Sequence, residues 1–153
     1  MVEIKSEPYT ITFGIIGAGR IGKLHADNLL SHVKGAKLKT VTDPFLDEEW
    51  AASRNIPVTG KDHRIMLDDP EIDAILIGSP SPEHAAQMIE CARAGKHIFC
   101  EKPIALDPDI IRNALAEVEK SGVKLQVGFN RRFDPNFAAV QQQVASGALG
   151  DPH

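Results

Sequence analysis

What is scarce in this sequence narrows its function first. It has two cysteines, Cys91 and Cys100, too few for a disulfide framework or a thiolate metal site. They read as buried free thiols in a reducing cytoplasm. No apolar run approaches the roughly eighteen residues that span a bilayer, and the start, MVEIKSEPYT, lacks the apolar stretch of a signal peptide. Basic residues are outnumbered, 17 Lys and Arg against 21 Asp and Glu, for a net charge of −4. Without a polybasic face, neither nucleic acid nor an anionic membrane is an expected partner. The six histidines offer no pair with metal-ligand spacing and suitable partners, so no metal is expected. Internal repeats and low-complexity segments are absent as well.

What is present is a chain of 153 residues, 42% apolar and 25% charged, enough for about one domain with a real core. Strand-length apolar runs alternate with helical patterns: ITFGII (11–16), LKTVT (38–42), DAILIG (73–78), HIFC (97–100) and LQVGF (125–129), with a shorter run near PVT (57–59). The runs are continuous rather than alternating, as in strands covered on both faces. Helix starts are marked by Ser81-Pro82-Glu83, Asp107-Pro108 and Asp134-Pro135, and stops by Gly95, Gly122 and Gly147. Strand–helix alternation predicts an α/β domain: a doubly wound parallel sheet of Rossmann type with helices on both faces.

The chemistry lies at the strand ends. The first strand runs into Gly17-Ala18-Gly19-Arg20-Ile21-Gly22, a G-x-G-x-x-G that opens a helix. Its glycines permit a tight turn, a close approach to a pyrophosphate and close helix–strand packing. The phosphates would meet free N–H groups at a helix N-terminus. Asp43 ends the second strand, where an acid accepts hydrogen bonds from the adenosine ribose and repels a 2′-phosphate; Pro44 and Phe45 supply no cation. NAD is therefore the expected cofactor. Ser79-Pro80, Glu101-Lys102 and Asn130-Arg131-Arg132 end later strands, and in an open parallel sheet these ends share the ligand edge. The expected cofactor contacts are Gly17, Gly19, Arg20, Ile21, Gly22, Asp43, Ser79, Pro80, His84, Glu101, Lys102 and Arg131. Lys102 is the expected catalytic residue, its cation stabilising alkoxide charge on an alcohol substrate. Glu101 is expected to orient the lysine or to contact the nicotinamide end. His25, His32 and His63 read as surface or packing residues, and His97 stands at the wrong end of its strand. His84, in the first turn of the helix after Ser79-Pro80, either shapes that turn or contacts the cofactor.

Taken together, GIIGAGRIGKLHADNL, SPSPEHA, CEKPIALD and VGFNRRFDP resemble the glucose–fructose oxidoreductase/inositol 2-dehydrogenase (Gfo/Idh/MocA) family over residues 11–150, its inositol 2-dehydrogenases most closely. The resemblance implies an NAD(P)-dependent oxidoreductase of sugars or cyclic polyols, with Lys102 touching both the nicotinamide side and the reacting hydroxyl. It also implies a second domain that contributes an aspartate and a basic histidine to the site and through which members assemble into homo-oligomers. The expected organisation is a flexible tail over 1–10, a dinucleotide-binding domain over 11–147, and the start of a linker to that second domain over 148–153. The glycine-rich exit SGALGDPH suits such a boundary. Two other classes compete. A non-catalytic NAD-binding sensor or regulatory module has no need of Glu-Lys-Pro at the nicotinamide edge, and a nucleotide-dependent methyltransferase is poorly served by Lys102.

Overall fold

The computed structural model describes residues 10–150. The expected tail lies outside them apart from Thr10, as do residues 151–153. Six strands form where the apolar runs predict: β1 Ile11–Ile16, β2 Ala36–Thr42, β3 Val58–Gly60, β4 Ala74–Ile77, β5 His97–Cys100 and β6 Leu125–Val127. All pair in parallel, in the order β3-β2-β1-β4-β5-β6. The chain begins in the middle of the sheet, builds outward to β3, then returns to build β4 to β6 on the other side. The order reverses between β1 and β4, and such a switch point opens a crevice at the strand ends.

The helices are α1 Arg20–Ser31, α2 Glu48–Ser53, α3 Arg64–Leu67, α4 Ser81–Arg93, α5 Pro108–Ser121 and α6 Pro135–Ala145, with a 3-10 turn over Asn130–Phe133. The crossovers put them on both faces of the sheet. On one face Ile15, Leu38, Val41 and Leu76 pack with Ala26 and Leu29 of α1 and Ala51 of α2. On the other, Ile75, Ile77, Ile98 and Cys100 pack with Met88 and Cys91 of α4 and Ala114 and Val118 of α5. Neighbouring strand residues such as Leu76 and Ile77 therefore enter different cores, which is why the strands read as unbroken apolar runs.

Two local expectations need correction. Ser81 does not cap α4: Pro80 is the extended cap residue, its carbonyl accepts the Glu83 N–H at 2.9 Å, and Ser81 lies inside the first turn with no capping bond. By contrast, the Asp107 and Asp134 side chains do accept N–H groups at the starts of α5 and α6. The last strand also stops two residues early. Gly128 still donates to the Cys100 carbonyl, but the Phe129 N–H turns back to the Val127 carbonyl at 2.8 Å, and that turn leaves the sheet.

Both cysteines are free and buried, and burial is the main cause that pushes each thiol from 9.0 up to about 12. An unfolded chain releases these protons from about pH 9, whereas the folded chain keeps them. The thiols thus leave stability unchanged below pH 9 and lower it as pH rises from 9 toward 12, by up to about 1.4 kcal/mol per pH unit for each. Urea unfolding of the chain at pH 8 to 11, compared with a Cys91→Ala/Cys100→Ala variant, should show a shallower alkaline decline in the variant.

Candidate functional site

The glycine loop is built by close backbone contact. Gly17 follows β1 with φ of +92°, and a Cβ there would stand 2.6 Å from the Ser79 amide nitrogen at the end of β4. A Cβ on Gly22 would overlap the Gly17 carbonyl oxygen, so α1 lies directly against the turn that precedes it. Gly19 is the cap residue of α1 and brings no side chain to the free N–H groups, and the first turn holds no acid. Space beside Gly19 is open to 4 Å. An uncapped helix start with bare backbone and no acid in its own first turn fits a pyrophosphate. Arg20 is exposed at this helix start, and Ile21 is half-buried.

Asp43 is already engaged. Its Oδ2 accepts the Ala18 N–H at 2.7 Å and its Oδ1 the Phe45 N–H at 2.8 Å. It therefore holds the glycine loop in shape, and each oxygen retains lone-pair capacity for a ribose hydroxyl. Gly17, Asp43, Ser79 and Pro80 line one cavity of about 100 Å³. The same cavity is lined by Lys61 and His63, which follow β3. Lys61 is thus a cation that the residues directly after Asp43 do not supply, and only the pairing of β3 with β2 brings it there.

At the end of β5 the two charges of Glu101-Lys102 part company. The Glu101 carboxylate, 14% exposed, meets His25 Nε2 of α1 at 2.9 Å and accepts the Lys102 backbone N–H at 3.2 Å. A Cβ on Gly128 would come within 3.1 Å of it. His25 also sets its ring edge-on to Phe99, with centroids 5.3 Å apart. Read from sequence as a surface or packing residue, His25 is a partner of the site. Glu101 does not hold the lysine side chain. Among the described residues Lys102 forms no ion pair; it is exposed and lines a cavity of about 430 Å³ with Phe129, Asn130, Arg131 and Arg132.

The remaining predicted contacts divide. Arg131 lines the Lys102 cavity and not the glycine-loop cavity; its guanidinium lies 4.5 Å from the Phe137 ring centroid. His84 is 1% exposed, with Nδ1 2.8 Å from the Pro103 carbonyl oxygen and Nε2 2.8 Å from that of Ser79. No ring nitrogen is left for a ligand, so the expected cofactor contact is replaced by the turn-shaping role. Among the described residues no cluster of His, Cys, Asp and Glu could hold a metal, and no helix is long and apolar enough to cross a membrane.

Comparison with known proteins agrees with this geometry. Residues 11–129 match the family described as "Oxidoreductase family, NAD-binding Rossmann fold". The chain is 50% identical over 145 residues to the uncharacterized oxidoreductase YrbE of Bacillus subtilis, covering 94% of this chain and 42% of that protein. It is 39% identical over 142 residues to the myo-inositol 2-dehydrogenase of Thermotoga maritima, covering 92% and 42%. The crystal structure of scyllo-inositol dehydrogenase from Lactobacillus casei, with bound cofactor NAD(H) and scyllo-inositol, superposes with a TM-score of 0.84 at 36% identity, covering 93% and 43%. The chain thus spans about two fifths of the length of the relatives it matches.

Asp43 is where these contacts are most open to test. Asp43→Ala leaves the Ala18 N–H without its acceptor and should lower stability by about 1–3 kcal/mol. NADH affinity should fall while NADPH affinity falls less, since the carboxylate's repulsion is gone and Lys61 remains. Unfolding midpoints and fluorescence titrations with the two cofactors check this. An unchanged affinity ratio speaks against a cofactor-reading Asp43.

Proposed function

We propose, for a chain that belongs to the oxidoreductase family with the NAD-binding Rossmann fold, that it is the cofactor-binding part of an NAD-dependent dehydrogenase. The reaction is oxidation of a secondary hydroxyl on a cyclic polyol or sugar, as in an inositol 2-dehydrogenase. One observation carries this reading: an ammonium without a carboxylate partner stands at the carboxyl edge of the sheet, because its neighbouring acid is turned away to His25. Lys102 is exposed and lines one cavity together with Arg131 and Arg132, so its cation is open to a ligand at this edge.

The residues present fit NAD. Backbone N–H groups of Gly19, Arg20 and Ile21 would hold the pyrophosphate, and Asp43 the adenosine ribose. Ser79 and Pro80 lie along the same edge. When bound, NAD supplies the acceptor for hydride. Lys102 donates hydrogen bonds to the substrate oxygen and stabilises the negative charge that grows there. Arg131 and Arg132 line the same cavity and would orient neighbouring hydroxyls. Among the described residues neither a carboxylate nor an imidazole lines that cavity, so we assign the base that takes the hydroxyl proton to the part of the relatives' length that this chain does not span. The same argument makes the complete protein the catalytic unit. We also place it in the cytoplasm, on the strength of two reduced, buried thiols, and take the complete protein to be a homo-oligomer.

Two outcomes follow. The 153-residue chain should bind NADH, visible as a change in cofactor fluorescence, yet show no turnover of myo-inositol, since acid–base help alone is worth about 10²–10⁴-fold. Absence of binding up to millimolar NADH contradicts the cofactor assignment, and robust turnover contradicts the division of the site. In a protein carrying both parts, Lys102→Met keeps the apolar stem and deletes the ammonium. It should lower kcat by about 10² or more with little change in Tm or NADH affinity. Loss of folding with activity per folded molecule intact would make Lys102 structural.

A further inference from the structure

The loop that carries Lys102 is poorly anchored by its own backbone. The last sheet bond runs from the Glu101 N–H to the Ile77 carbonyl at 3.0 Å, and the next helical contact is the Asp107 cap of α5. Between them, Lys102 N–H bonds only to the neighbouring Glu101 side chain, and Pro103 has no N–H. Ile104 is buried and supplies an apolar anchor. Among the described residues, one hydrogen bond ties the backbone of 102–106 to another element: the Pro103 carbonyl with His84 Nδ1 at 2.8 Å.

The opposite nitrogen of the same ring, Nε2, is bound to the Ser79 carbonyl at 2.8 Å. Carbonyl oxygens only accept, and a neutral imidazole has a single N–H. Each contact is therefore a hydrogen bond only where its ring nitrogen carries an N–H, and the ring itself is 1% exposed. Ser79 is in turn held by α4: its hydroxyl donates to Gln87 Oε1 at 2.6 Å, and Gln87 Nε2 donates to Glu83 at 3.0 Å. Ser79 also lines the cavity of the glycine loop. One buried ring thus spans from the cofactor edge to the lysine loop.

We propose that His84 is a positioning residue: its ring, seated between the Ser79 and Pro103 carbonyls, ties the end of β4 to the Glu101-Lys102-Pro103 turn and so sets where the Lys102 ammonium stands relative to the cofactor. The functional consequence rests on the reading of Lys102 given above, whereas the tie itself does not. Cofactor seated against Ser79 and substrate against Lys102 would then share one rigid reference.

Three measurements test it. Nitrogen-15 NMR of the wild-type chain reads the ring without any variant: two protonated nitrogens support the tie, and one bare nitrogen overturns it. In His84→Gln, which keeps one donor, amide exchange at Lys102 and Ile104 should rise about tenfold, with Ile75, Ile77 and NADH affinity unchanged. A uniform rise across core amides would instead mean a general structural role and overturn the proposal. In the protein at the length of its relatives, His84→Gln should lower kcat about tenfold and leave KM for NAD unchanged. The loss should vanish in a Lys102→Met background, because His84 acts through that lysine. Additive losses overturn the proposal. A wild-type protein with no polyol turnover defeats the proposed function alone, since the NMR and exchange results still decide whether His84 holds the turn.

Discussion

A side chain on Gly17 would drive into the amide of Ser79, and one on Gly22 into the carbonyl of Gly17. Three backbone segments, the turn after β1, the start of α1 and the end of β4, are thereby held in direct contact at the switch point of the sheet. Everything else at the site is referenced to that contact. It aims the free N–H groups of α1 across the crevice, and it fixes the Ser79 carbonyl that His84 grips. It also brings Ala18 to Asp43 at 2.7 Å. A single methyl at either glycine would have to push apart elements whose other sides are already packed, and interiors at crystal-like density have no slack to absorb it.

Charge at the carboxyl edge is arranged around the same frame. Asp43 turns inward to two backbone N–H groups, and Glu101 turns to His25. Among the described residues neither carboxylate forms an ion pair with Lys61 or Lys102. An ammonium partnered by a carboxylate has little field left to offer a developing alkoxide, whereas an unpartnered one on a residue that lines a cavity does. The acid that follows β5 therefore serves the lysine indirectly. It consumes the His25 contact and the Lys102 N–H, leaving the side chain of Lys102 free.

Much of the frame was legible because a parallel sheet brings its strand ends to one edge. The continuous apolar runs located the strands, the G-x-G-x-x-G located the first turn, and Glu101-Lys102 stands after β5 as expected. What could not be read were contacts between residues far apart in the chain. His25 and Glu101 are separated by 76 positions, and nothing local distinguishes His25 from a surface histidine on an amphipathic helix. Lys61 reached the Asp43 cavity only through strand pairing. His84 stands in the first turn after Ser79-Pro80 as expected, but which of its two expected roles it fills could not be read: whether a first-turn side chain points out to a ligand or back beneath the turn depends on the carbonyls that meet it. Ser81 misled for a local reason, since Pro80 was already extended and took the cap position.

The two walls of the Lys102 cavity differ in how firmly the chain holds them. Lys102 stands on a turn gripped by Ile104 in the core, by His84, and by Glu101 against His25. Arg131 and Arg132 stand on a 3-10 turn that, like α6 after it, contains no buried residue. That segment is stabilised by its Asp134 cap, by Arg131 over Phe137, and by few other contacts. Phe137, Val140 and Val144 recur at i, i+3 and i+7 and are all exposed, so α6 gains little from packing, and an eleven-residue helix has little stability of its own. Within this chain Lys102 thus stands on the wall that the core holds, whereas Arg131 and Arg132 stand on a segment whose apolar residues no described element covers.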